Sequence, residues 1–539
     1  MRLTGTIGSQ DLPLKEIMKD QMMVKSSVIL TSIIETANGK LEGHITEGVH
    51  TFKGIPYGRA PIGSRRWRRA TPPDSWTGTK TALTFCDRAP QIDRVRRSAN
   101  AWIRDPGPKS ENCLCLNVYT ASVEGNQPVM VYLHGGGFRY GSGAAAGLDG
   151  TKLSKTGNVV VITLNHRLNI FGFANFSDFG GQEFSDTTNL GMLDIVDALT
   201  WIRDNIKAFG GDPNNVTIFG QSGGGCKVAA LMAMSSAKGL FHKAIMQSSS
   251  AHMRLATLED TDRVTHSVVR QLKVTDMKML QKLPWETVFD GYLKAVAENF
   301  GNDCFRPSVD EIVIAHNPFE SESLDLSRDI PLMIGTAETE KSFYDIILPP
   351  DQISLTEQQL HDKVAAFVGV TDARGLISKY RQGRKEETLR DIFNRITSDQ
   401  MYRRNCIEAA ERKSASNGKK VWLYEFTFRI PALGGSLKSP HTMCLPFVFG
   451  TTDIAKNFVG VGAEQNQLTK IVQGAWSSFA HTGDPNHSGM PSWPPYQVNT
   501  RPTMLFDNPC TVVENPKADD RTTIMACPPF ITDRMNRVP

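Results

Sequence analysis

Short apolar runs separated by helical stretches dominate the middle of the chain. The runs span residues 129–133, 159–164, 216–219 and 244–246, and two more follow at 331–335 and 421–426. Apolar residues between 190 and 209 recur at near-helical spacing, and Gly210-Gly211-Asp212-Pro213 ends that pattern. Buried strands that alternate with helices are typical of a mostly parallel sheet covered on both faces. The pattern therefore predicts an α/β fold.

The segment before these runs predicts an antiparallel edge of the sheet. Residues 27–34 are largely apolar and β-branched, Asn38-Gly39 is a hairpin-turn signal, and residues 51–57 are a further strand candidate. Residues 58–112 are rich in proline, glycine and arginine and show little periodicity. We expect them to be long surface loops draped on the core.

Two later stretches, residues 257–283 and 356–380, have the amphipathic spacing of helices. We expect them to be lids or caps that pack on the sheet. Since no Gly/Ser-rich or Pro-rich linker divides the chain, the sequence predicts a single domain over residues 27–539. A polar N-terminal extension, residues 1–26, precedes it.

Composition narrows the partners that the protein can have. A net charge of +4 over 539 residues is too small to indicate nucleic-acid binding, and the densest basic cluster, residues 65–69, is interpreted as a solvated loop. No apolar run approaches the roughly 18 residues of a membrane span. Residues 1–26 lack the apolar segment of a secretory signal, so we expect a cytoplasmic location, although a trimmed precursor would look the same.

The cysteine and histidine content gives little sign of structural cross-links or metals. Nine cysteines scattered through a long chain do not indicate a disulfide-built scaffold. No cluster of His, Cys and Asp has metal-ligand spacing, so we expect neither a metal nor another cofactor. The sequence carries no signal of oligomeric state.

The candidate chemistry centres on one serine, Ser222. The run 216–219 leads directly into Gly220-Gln221-Ser222-Gly223-Gly224, and the small apolar residues 226–234 predict a buried helix. Gly-x-Ser-x-Gly between a strand and a helix is the nucleophile elbow, a turn so sharp that Gly220 and Gly224 must lack side chains. We expect the turn to raise the Ser222 hydroxyl above the sheet at a helix N-terminus, where backbone amides favour negative charge.

A serine nucleophile needs a base, and in this topology the acid and then the histidine follow the serine along the chain. The histidines that follow the first late strand are His361, His441, His481 and His487. His361 falls in an amphipathic helical run, and His481 and His487 flank a turn that follows a helix. His441 follows the run 421–426 by a glycine-containing loop, so we expect it to be the base.

The acid is expected just past the run 331–335, where Glu338 and Glu340 are both in range. Spacing alone does not separate the two, and both are also compatible with surface charges.

A tetrahedral intermediate also needs backbone donors for its oxyanion. Gly223 is one candidate, and the loop His134-Gly135-Gly136-Gly137-Phe138, directly after the run 129–133, is the expected source of others. Glycine-rich loops bind phosphate as well, but this chain has neither Gly-Lys-Ser/Thr nor a dinucleotide fingerprint.

These motifs and several others recur, in this order, in one protein family. The matching stretches are residues 52–57, 110–114, 134–138, 165–168, 209–213, 220–224 and 446–450. Together they resemble the type-B carboxylesterase family, the cholinesterase-like branch of the α/β-hydrolases. In detail the chain is similar to microbial esterases of the para-nitrobenzyl esterase type more than to animal cholinesterases.

The resemblance implies an α/β-hydrolase fold and a serine hydrolase that cleaves carboxylic esters through an acyl-enzyme. It matches Ser222 to the nucleophile and His441 to the base. It selects Glu340 as the acid, because the family's glutamate comes five residues after the strand-ending glycine, here Gly335.

The resemblance also assigns supporting groups. The backbone amides of Gly136, Gly137 and Gly223 match the family's oxyanion donors. Ser248, in Gln247-Ser248-Ser249, matches a serine that is expected to support the triad from behind.

Some positions depart from the family pattern. Lys341 stands where a glycine usually follows the acid, and Cys444 replaces a glutamate three residues after the base. Cys113 and Cys86 match cysteines that often form a disulfide, so a bond between them is possible. Trp102 precedes the matching stretch at 110–114, and we interpret it as a surface-loop tryptophan that does not line the substrate gorge.

The expected partner is a small-molecule ester. One alternative is a binding protein, because the family includes adhesion members that have lost the triad. All three catalytic positions are filled here, which favours the enzyme. The other alternative is an amidase, lipase or transacylase with the same machinery.

Overall fold

The computed structural model describes residues 30–531 apart from residues 96, 251 and 300–304. The predicted extension at residues 1–26 lies outside the described residues, as do the first three residues of the predicted strand at 27–34. The strands are β1 (Leu30–Thr36), β2 (Gly39–Thr46), β3 (Val49–Pro56), β4 (Thr79–Thr81), β5 (Cys115–Thr120), β6 (Gln127–Leu133), β7 (Val160–Leu164), β8 (Gly211–Gln221), β9 (Lys243–Gln247), β10 (Leu332–Ala337), β11 (Val421–Phe426), β12 (Pro502–Phe506) and β13 (Thr511–Glu514). The helices are α1 (Thr151–Gly157), α2 (Asn169–Phe173), α3 (Ser177–Gly180), α4 (Leu190–Asn205), α5 (Gly223–Met232), α6 (Leu258–Leu272), α7 (Met277–Lys282), α8 (Trp285–Glu298), α9 (Ser321–Leu326), α10 (Glu357–Val368), α11 (Arg374–Arg381), α12 (Leu389–Ser398), α13 (Arg404–Ala415), α14 (Cys444–Phe449), α15 (Lys456–Val459), α16 (Ala463–Thr482) and α17 (Ala518–Met525).

Thirteen strands of the described chain form one mixed sheet. Their order is β1-β2-β3-β5-β7-β6-β8-β9-β10-β11-β12-β13, and β4 pairs with β2. Seven consecutive strands in this order are parallel to one another: β7, β6, β8, β9, β10, β11 and β12. The pairs β1–β2, β2–β3, β3–β5, β5–β7 and β12–β13 are antiparallel. The predicted α/β fold, with a mostly parallel sheet and an antiparallel N-terminal edge, is confirmed.

The sheet has an apolar core on each face because side chains alternate along its strands. In β6, Val129 and Val131 pack into one core, and Met130 and Tyr132 pack into the other. Helices α4 and α5 cover the first face, and α14 and α16 cover the second. A strand covered on both sides has no exposed polar face, which explains why the sequence shows these strands as unbroken apolar runs.

Strand β5 was not evident from the sequence, although every one of its residues is buried. Its apolar run is interrupted by Asn117, whose side chain is satisfied inside the sheet. Asn117 Nδ2 donates to Thr163 Oγ1 at 2.9 Å, and Asn117 Oδ1 accepts the Gly54 N–H at 2.9 Å. A buried asparagine with these partners costs little, but it hides the strand from a search for apolar runs.

Two predictions about the loops at 58–112 are wrong. The basic cluster is only partly solvated, because Arg66 is buried in an ion pair with Glu111, with Nε 2.5 Å from Oε1. Trp67 is also fully buried and donates its Nε1–H to the Ile170 carbonyl. Trp102 is 4% exposed and stacks on Phe458, with ring centroids 5.6 Å apart, so it is a core residue and not a surface-loop tryptophan.

The disulfide joins Cys86 to Cys115, not to Cys113 as the resemblance suggested. Cys113 is a buried free thiol whose pKa burial raises, and its side chain packs within the core. Only its carbonyl oxygen faces Cys86, with 3.9 Å between that oxygen and Cys86 Sγ. Cys113 and Cys115 are separated by one residue, Leu114, and only Cys115 presents its sulfur to Cys86.

Candidate active site

Ser222 lies at a strained turn between β8 and α5. Its φ of 61° is unusual for a residue with a side chain, and it is the residue immediately before the helix. A Cβ on Gly224 would overlap the Leu133 carbonyl oxygen, and a Cβ on Gly220 would overlap the backbone of Gly224. The two glycines of the predicted elbow therefore lack side chains for a steric reason.

His441 and Glu340 are hydrogen bonded in a buried site. His441 Nδ1 donates to Glu340 Oε2 at 2.5 Å, and the Ala337 N–H donates to Glu340 Oε1 at 2.7 Å. Both carboxylate oxygens therefore have a donor. Glu340 is fully buried and His441 is 3% exposed, so water does not compete for this bond.

Glu338 belongs to a different network. Its Oε1 lies 3.1 Å from both Arg395 Nη1 and Lys517 Nζ. Burial alone would raise the pKa of Glu338, but the cations of Lys517 and Arg395 outweigh burial and lower it to about 2. The geometry thus separates the two glutamates that spacing left equivalent.

The loops that carry Glu340 and His441 are tied together by hydrogen bonds. The hydroxyl of Thr339 donates to the Leu437 carbonyl and accepts the Ser439 N–H, both at 2.9 Å. The His441 N–H donates to the Glu340 carbonyl at 3.2 Å. These bonds fix the two loops relative to each other, so the side-chain pair does not depend on its own hydrogen bond for its position.

Ser222 and His441 line the same cavity, whose volume is about 330 Å³ and which also includes Gly135, Gly136 and Gln221 in its wall. Among the described residues, the Ser222 hydroxyl has no hydrogen-bond partner. His441 Nε2 instead accepts from Gln221 Nε2 at 3.1 Å. Catalytic hydrogen bonds are often long in enzymes without substrate and shorten when it binds.

Three backbone amides lie beside the elbow. In the part of the chain that the structure describes, the N–H groups of Gly136, Gly137 and Gly223 have no acceptor. A Cβ on Gly223 would overlap the backbone of Gly137, so these two segments are in direct contact. The three donors are those that the family resemblance assigned to an oxyanion, and they are free to donate to one.

Lys227 holds this glycine loop against α5. Its Nζ donates to the carbonyls of His134 at 2.7 Å and Gly137 at 3.1 Å, and it lies 5.1 Å from the centre of the Phe138 ring. Burial lowers the pKa of Lys227 to about 7. One side chain thus links the helix that begins after Ser222 to the loop that carries two of the amides.

Comparison with known proteins establishes the family. The model of the carboxylesterase family matches residues 30–524. The chain belongs to the carboxylesterase family. It is similar to the para-nitrobenzyl esterase of Bacillus subtilis, with 34% identity over 91% of this chain and 97% of the relative. It is also similar to the phenmedipham hydrolase of Pseudarthrobacter oxydans, with 30% identity over 94% of this chain and all of the relative.

Solved structures agree with this assignment. The Geobacillus stearothermophilus carboxylesterase EST55 superposes with a TM-score of 0.80 at 32% identity, over 91% of this chain and 99% of that one. Membership of the carboxylesterase family and these neighbours confirm the α/β-hydrolase fold and the predicted resemblance. They also identify the chain as a carboxylic ester hydrolase.

Two departures from the carboxylesterase pattern now have a structural description. Lys341 lies over aromatic rings, with Nζ 4.7 Å from the centre of Tyr344 and 5.2 Å from that of Phe367, and burial lowers its pKa to about 8. Cys444 is a buried thiol that accepts from Gln247 Nε2 at 3.2 Å, and burial raises its pKa. At the position of Cys444, then, a neutral thiol replaces the family's carboxylate.

Ser248 is buried next to the strand that leads to Glu340. Its N–H donates to the Gly335 carbonyl at 2.7 Å, and its φ is 50°. Within the described chain, however, no hydrogen bond joins its hydroxyl to Glu340 or His441. Its supporting role stays a prediction.

The three aromatic residues that enclose His441 were not identified from the sequence. The rings of Phe343, Tyr344 and Tyr402 have centroids 6.1, 6.2 and 4.9 Å from the imidazole. Phe343 and Tyr344 follow Glu340 so closely that their presence was readable from position. Tyr402 comes from Asp399–Arg403, a π-helical stretch between α12 and α13, and no local signal marks it.

The described residues give no sign of a membrane span or a metal site. None of their helices combines the length and the apolarity that crossing a bilayer requires. They contain no group of three or more His, Cys, Asp and Glu side chains arranged to bind a metal ion.

Proposed function

We propose that the protein hydrolyses carboxylic esters through an acyl-enzyme, with Ser222 as nucleophile, His441 as general base and Glu340 as the acid that orients it. The observation that carries the proposal is the Glu340–His441 hydrogen bond beside the Ser222 elbow in one cavity. Because the Nδ1–H donates a hydrogen bond to Glu340, the proton stays on Nδ1 and Nε2 keeps the lone pair that a base needs.

In the first step, Ser222 Oγ attacks the acyl carbon and its proton passes to His441 Nε2. For this transfer Nε2 exchanges the Gln221 N–H for the Ser222 hydroxyl. The carbonyl oxygen becomes an oxyanion that accepts from the amides of Gly136, Gly137 and Gly223. Glu340 stabilises the imidazolium that forms.

In the second step, the bond from the acyl carbon to the leaving alcohol breaks and His441 returns its proton to the alcohol oxygen. Water then attacks the acyl-enzyme, with His441 again taking the proton. The carboxylic acid leaves and the Ser222 hydroxyl is restored.

Removing the nucleophile tests the proposal. We expect Ser222→Ala to lower kcat for p-nitrophenyl acetate by roughly 10⁶-fold while the fold is kept, as in other serine hydrolases. Near-normal turnover by a folded Ser222→Ala protein would refute the assignment.

Covalent labelling provides a second test that does not depend on the choice of substrate. An organophosphate should label the protein once, at Ser222, and the label should be absent in Ser222→Ala. Ser142 is a useful control because its hydroxyl lines the same cavity but donates to Asp105. Ser142→Ala should therefore keep the label.

A separate experiment decides whether the enzyme prefers esters or amides, and whether it transfers the acyl group to water or to an alcohol. The relatives are named as esterases and as a phenmedipham hydrolase, which supports esters first. Three comparisons separate the alternatives. Rates for short and long p-nitrophenyl esters distinguish an esterase from a lipase. Rates for the corresponding amides test for an amidase, and acyl transfer to alcohols tests for a transacylase.

A further inference from the structure

One wall of the cavity brings a cation and two hydroxyls together. Arg94, Tyr140 and Tyr344 all line the cavity that contains Ser222. Arg94 Nη1 donates to the hydroxyl of Tyr140, and its guanidinium carbon lies 4.7 Å from the centre of the Tyr140 ring. Tyr344 Oη is 3.0 Å from Tyr402 Oη.

Tyr344 is electrostatically close to the other two groups. Burial raises the pKa of Tyr344 to about 12, the hydroxyl of Tyr140 adds to the rise, and the Arg94 cation opposes it. Arg94 and Tyr140 therefore act on the ionisation of Tyr344, and all three side chains line the same cavity.

The carboxylates on the same wall do not neutralise Arg94. Asp93 pairs with Arg88 at 2.7 Å and with Lys109 at 2.9 Å. Asp105 accepts from the Ser142 hydroxyl at 2.5 Å and from the Gly107 N–H at 2.7 Å. Arg94 itself forms no ion pair with any described residue, so its charge faces the cavity without an acidic partner.

We propose that this wall is a carboxylate-binding subsite, and that the enzyme prefers esters whose acyl or alcohol part carries a carboxylate. The planar guanidinium of Arg94 matches the two oxygens of a carboxylate. Because the Tyr140 hydroxyl accepts from Arg94, its own hydrogen is free to donate to the same group. The inference rests on the proposed function, since it names the substrate class of that site.

Binding to a protein that cannot turn over separates the subsite from catalysis. In a Ser222→Ala background, calorimetry would compare monomethyl glutarate with dimethyl glutarate, and acetoxyacetate with its methyl ester. The first pair places the carboxylate on the acyl side, and the second places it on the alcohol side. We expect at least one anionic ligand to bind about tenfold more tightly than its neutral counterpart or better. No preference in either pair would overturn the subsite.

A charge-matched pair of variants assigns the preference to Arg94. Arg94→Gln, made in the Ser222→Ala background, should abolish the difference between anionic and neutral ligands. Arg59→Gln removes the same charge from an exposed pair with Asp74 outside the cavity, and it should keep the difference. An undiminished preference in Arg94→Gln, or an equal loss in Arg59→Gln, would refute the role of Arg94.

Turnover distinguishes failure of the subsite from failure of the proposed function. With active enzyme, the ratio of kcat/KM for mono-p-nitrophenyl glutarate to that for p-nitrophenyl butyrate should fall about tenfold in Arg94→Gln. Hydrolysis of both substrates with an unchanged ratio would reject the subsite alone. Absence of hydrolysis of either substrate would reject the proposed function, while the binding experiment would still decide the subsite.

Discussion

Two glutamates two positions apart make a decisive comparison at the scale of single residues. Glu340 bonds to His441, whereas Glu338 bonds to Arg395 and Lys517. We expect Glu340→Gln to lower kcat by about 10⁴-fold, because an amide no longer fixes the tautomer and charge of the histidine. Glu338→Gln should keep kcat within about threefold. Steady-state kinetics on both variants checks this, and equal losses would contradict the assignment of the acid.

Glu338 should instead contribute to the free energy of unfolding. Because its pKa is lowered to about 2 from an ordinary value of 4.5, the folded state gains about 3 kcal/mol of stability above pH 4.5. This gain is lost as the pH falls from 4.5 towards 2. In that range Glu338 of the unfolded chain binds a proton, whereas Glu338 of the folded protein stays ionised until the pH approaches 2. Urea unfolding of Glu338→Gln should show a deficit of that order at pH 7 that shrinks below pH 4.5. A deficit that stays constant down to pH 3 would count against the ion pairs.

The sequence identified residue types better than it identified partners. It reduced the acid to Glu338 and Glu340, and only the family resemblance chose between them. The physical difference lies in partners far along the chain, because Arg395 and Lys517 reach Glu338 from α12 and from the residue before α17. Nothing in the local sequence reports such pairings. The same reason hides Tyr402, which meets His441 through a distortion between two helices.

Local patterns predicted the elements themselves with more success. The run at 421–426 has the bounds of β11, and the helical spacing from 190 to 209 corresponds to α4 and the short 3-10 turn after it. Strand β5 was missed because Asn117 interrupts its apolar run. Apolar periodicity reports burial, so a buried element that satisfies its polar groups internally escapes it.

The link between α5 and the glycine loop leads to a prediction at the scale of elements. Lys227 donates to the carbonyls of His134 and Gly137, so Lys227→Met should free the loop and misplace the amides of Gly136 and Gly137. Since one oxyanion donor is worth about 10²–10³ in kcat, we expect kcat to fall by about 10²-fold, with a smaller change in KM. Kinetics with p-nitrophenyl acetate measures both.

Lys413 provides a matched control for that experiment. It is equally buried, but it donates to the carbonyls of Ser327 and Arg328 and not to those of the glycine loop. Lys413→Met should cost stability as Lys227→Met does and leave kcat near the parent value. If both variants lose turnover equally, the effect of Lys227 is general destabilisation and not positioning of the loop.

The whole molecule combines a regular sheet with a long irregular segment between β3 and β5, and the sequence described the first far better than the second. The segment reads as polar loops, yet it buries Trp67, Trp102 and the Arg66–Glu111 pair. Burial of this kind depends on which surface a loop meets, and that is set by the assembled sheet. The same segment contains Cys86, one of the two cysteines of the disulfide. The partner of Cys86 depends on how this segment packs on the sheet, so the family pattern alone indicated the wrong cysteine.

The disulfide gives a prediction about the complete fold. Cys86 and Cys115 are 29 residues apart. Closing a loop of that length lowers the entropy of the unfolded chain, which stabilises the folded protein by about 3–4 kcal/mol. Protein denatured without reductant should expose two fewer thiols than the nine counted after reduction. Cys115→Ala should remove this difference and lower the urea midpoint, whereas Cys113→Ala should keep the difference because its thiol is free. Loss of the bond in Cys113→Ala would instead support the pairing implied by the family. The outcome also bears on the predicted cytoplasmic location, because a reducing compartment opposes a disulfide and an oxidising one preserves it.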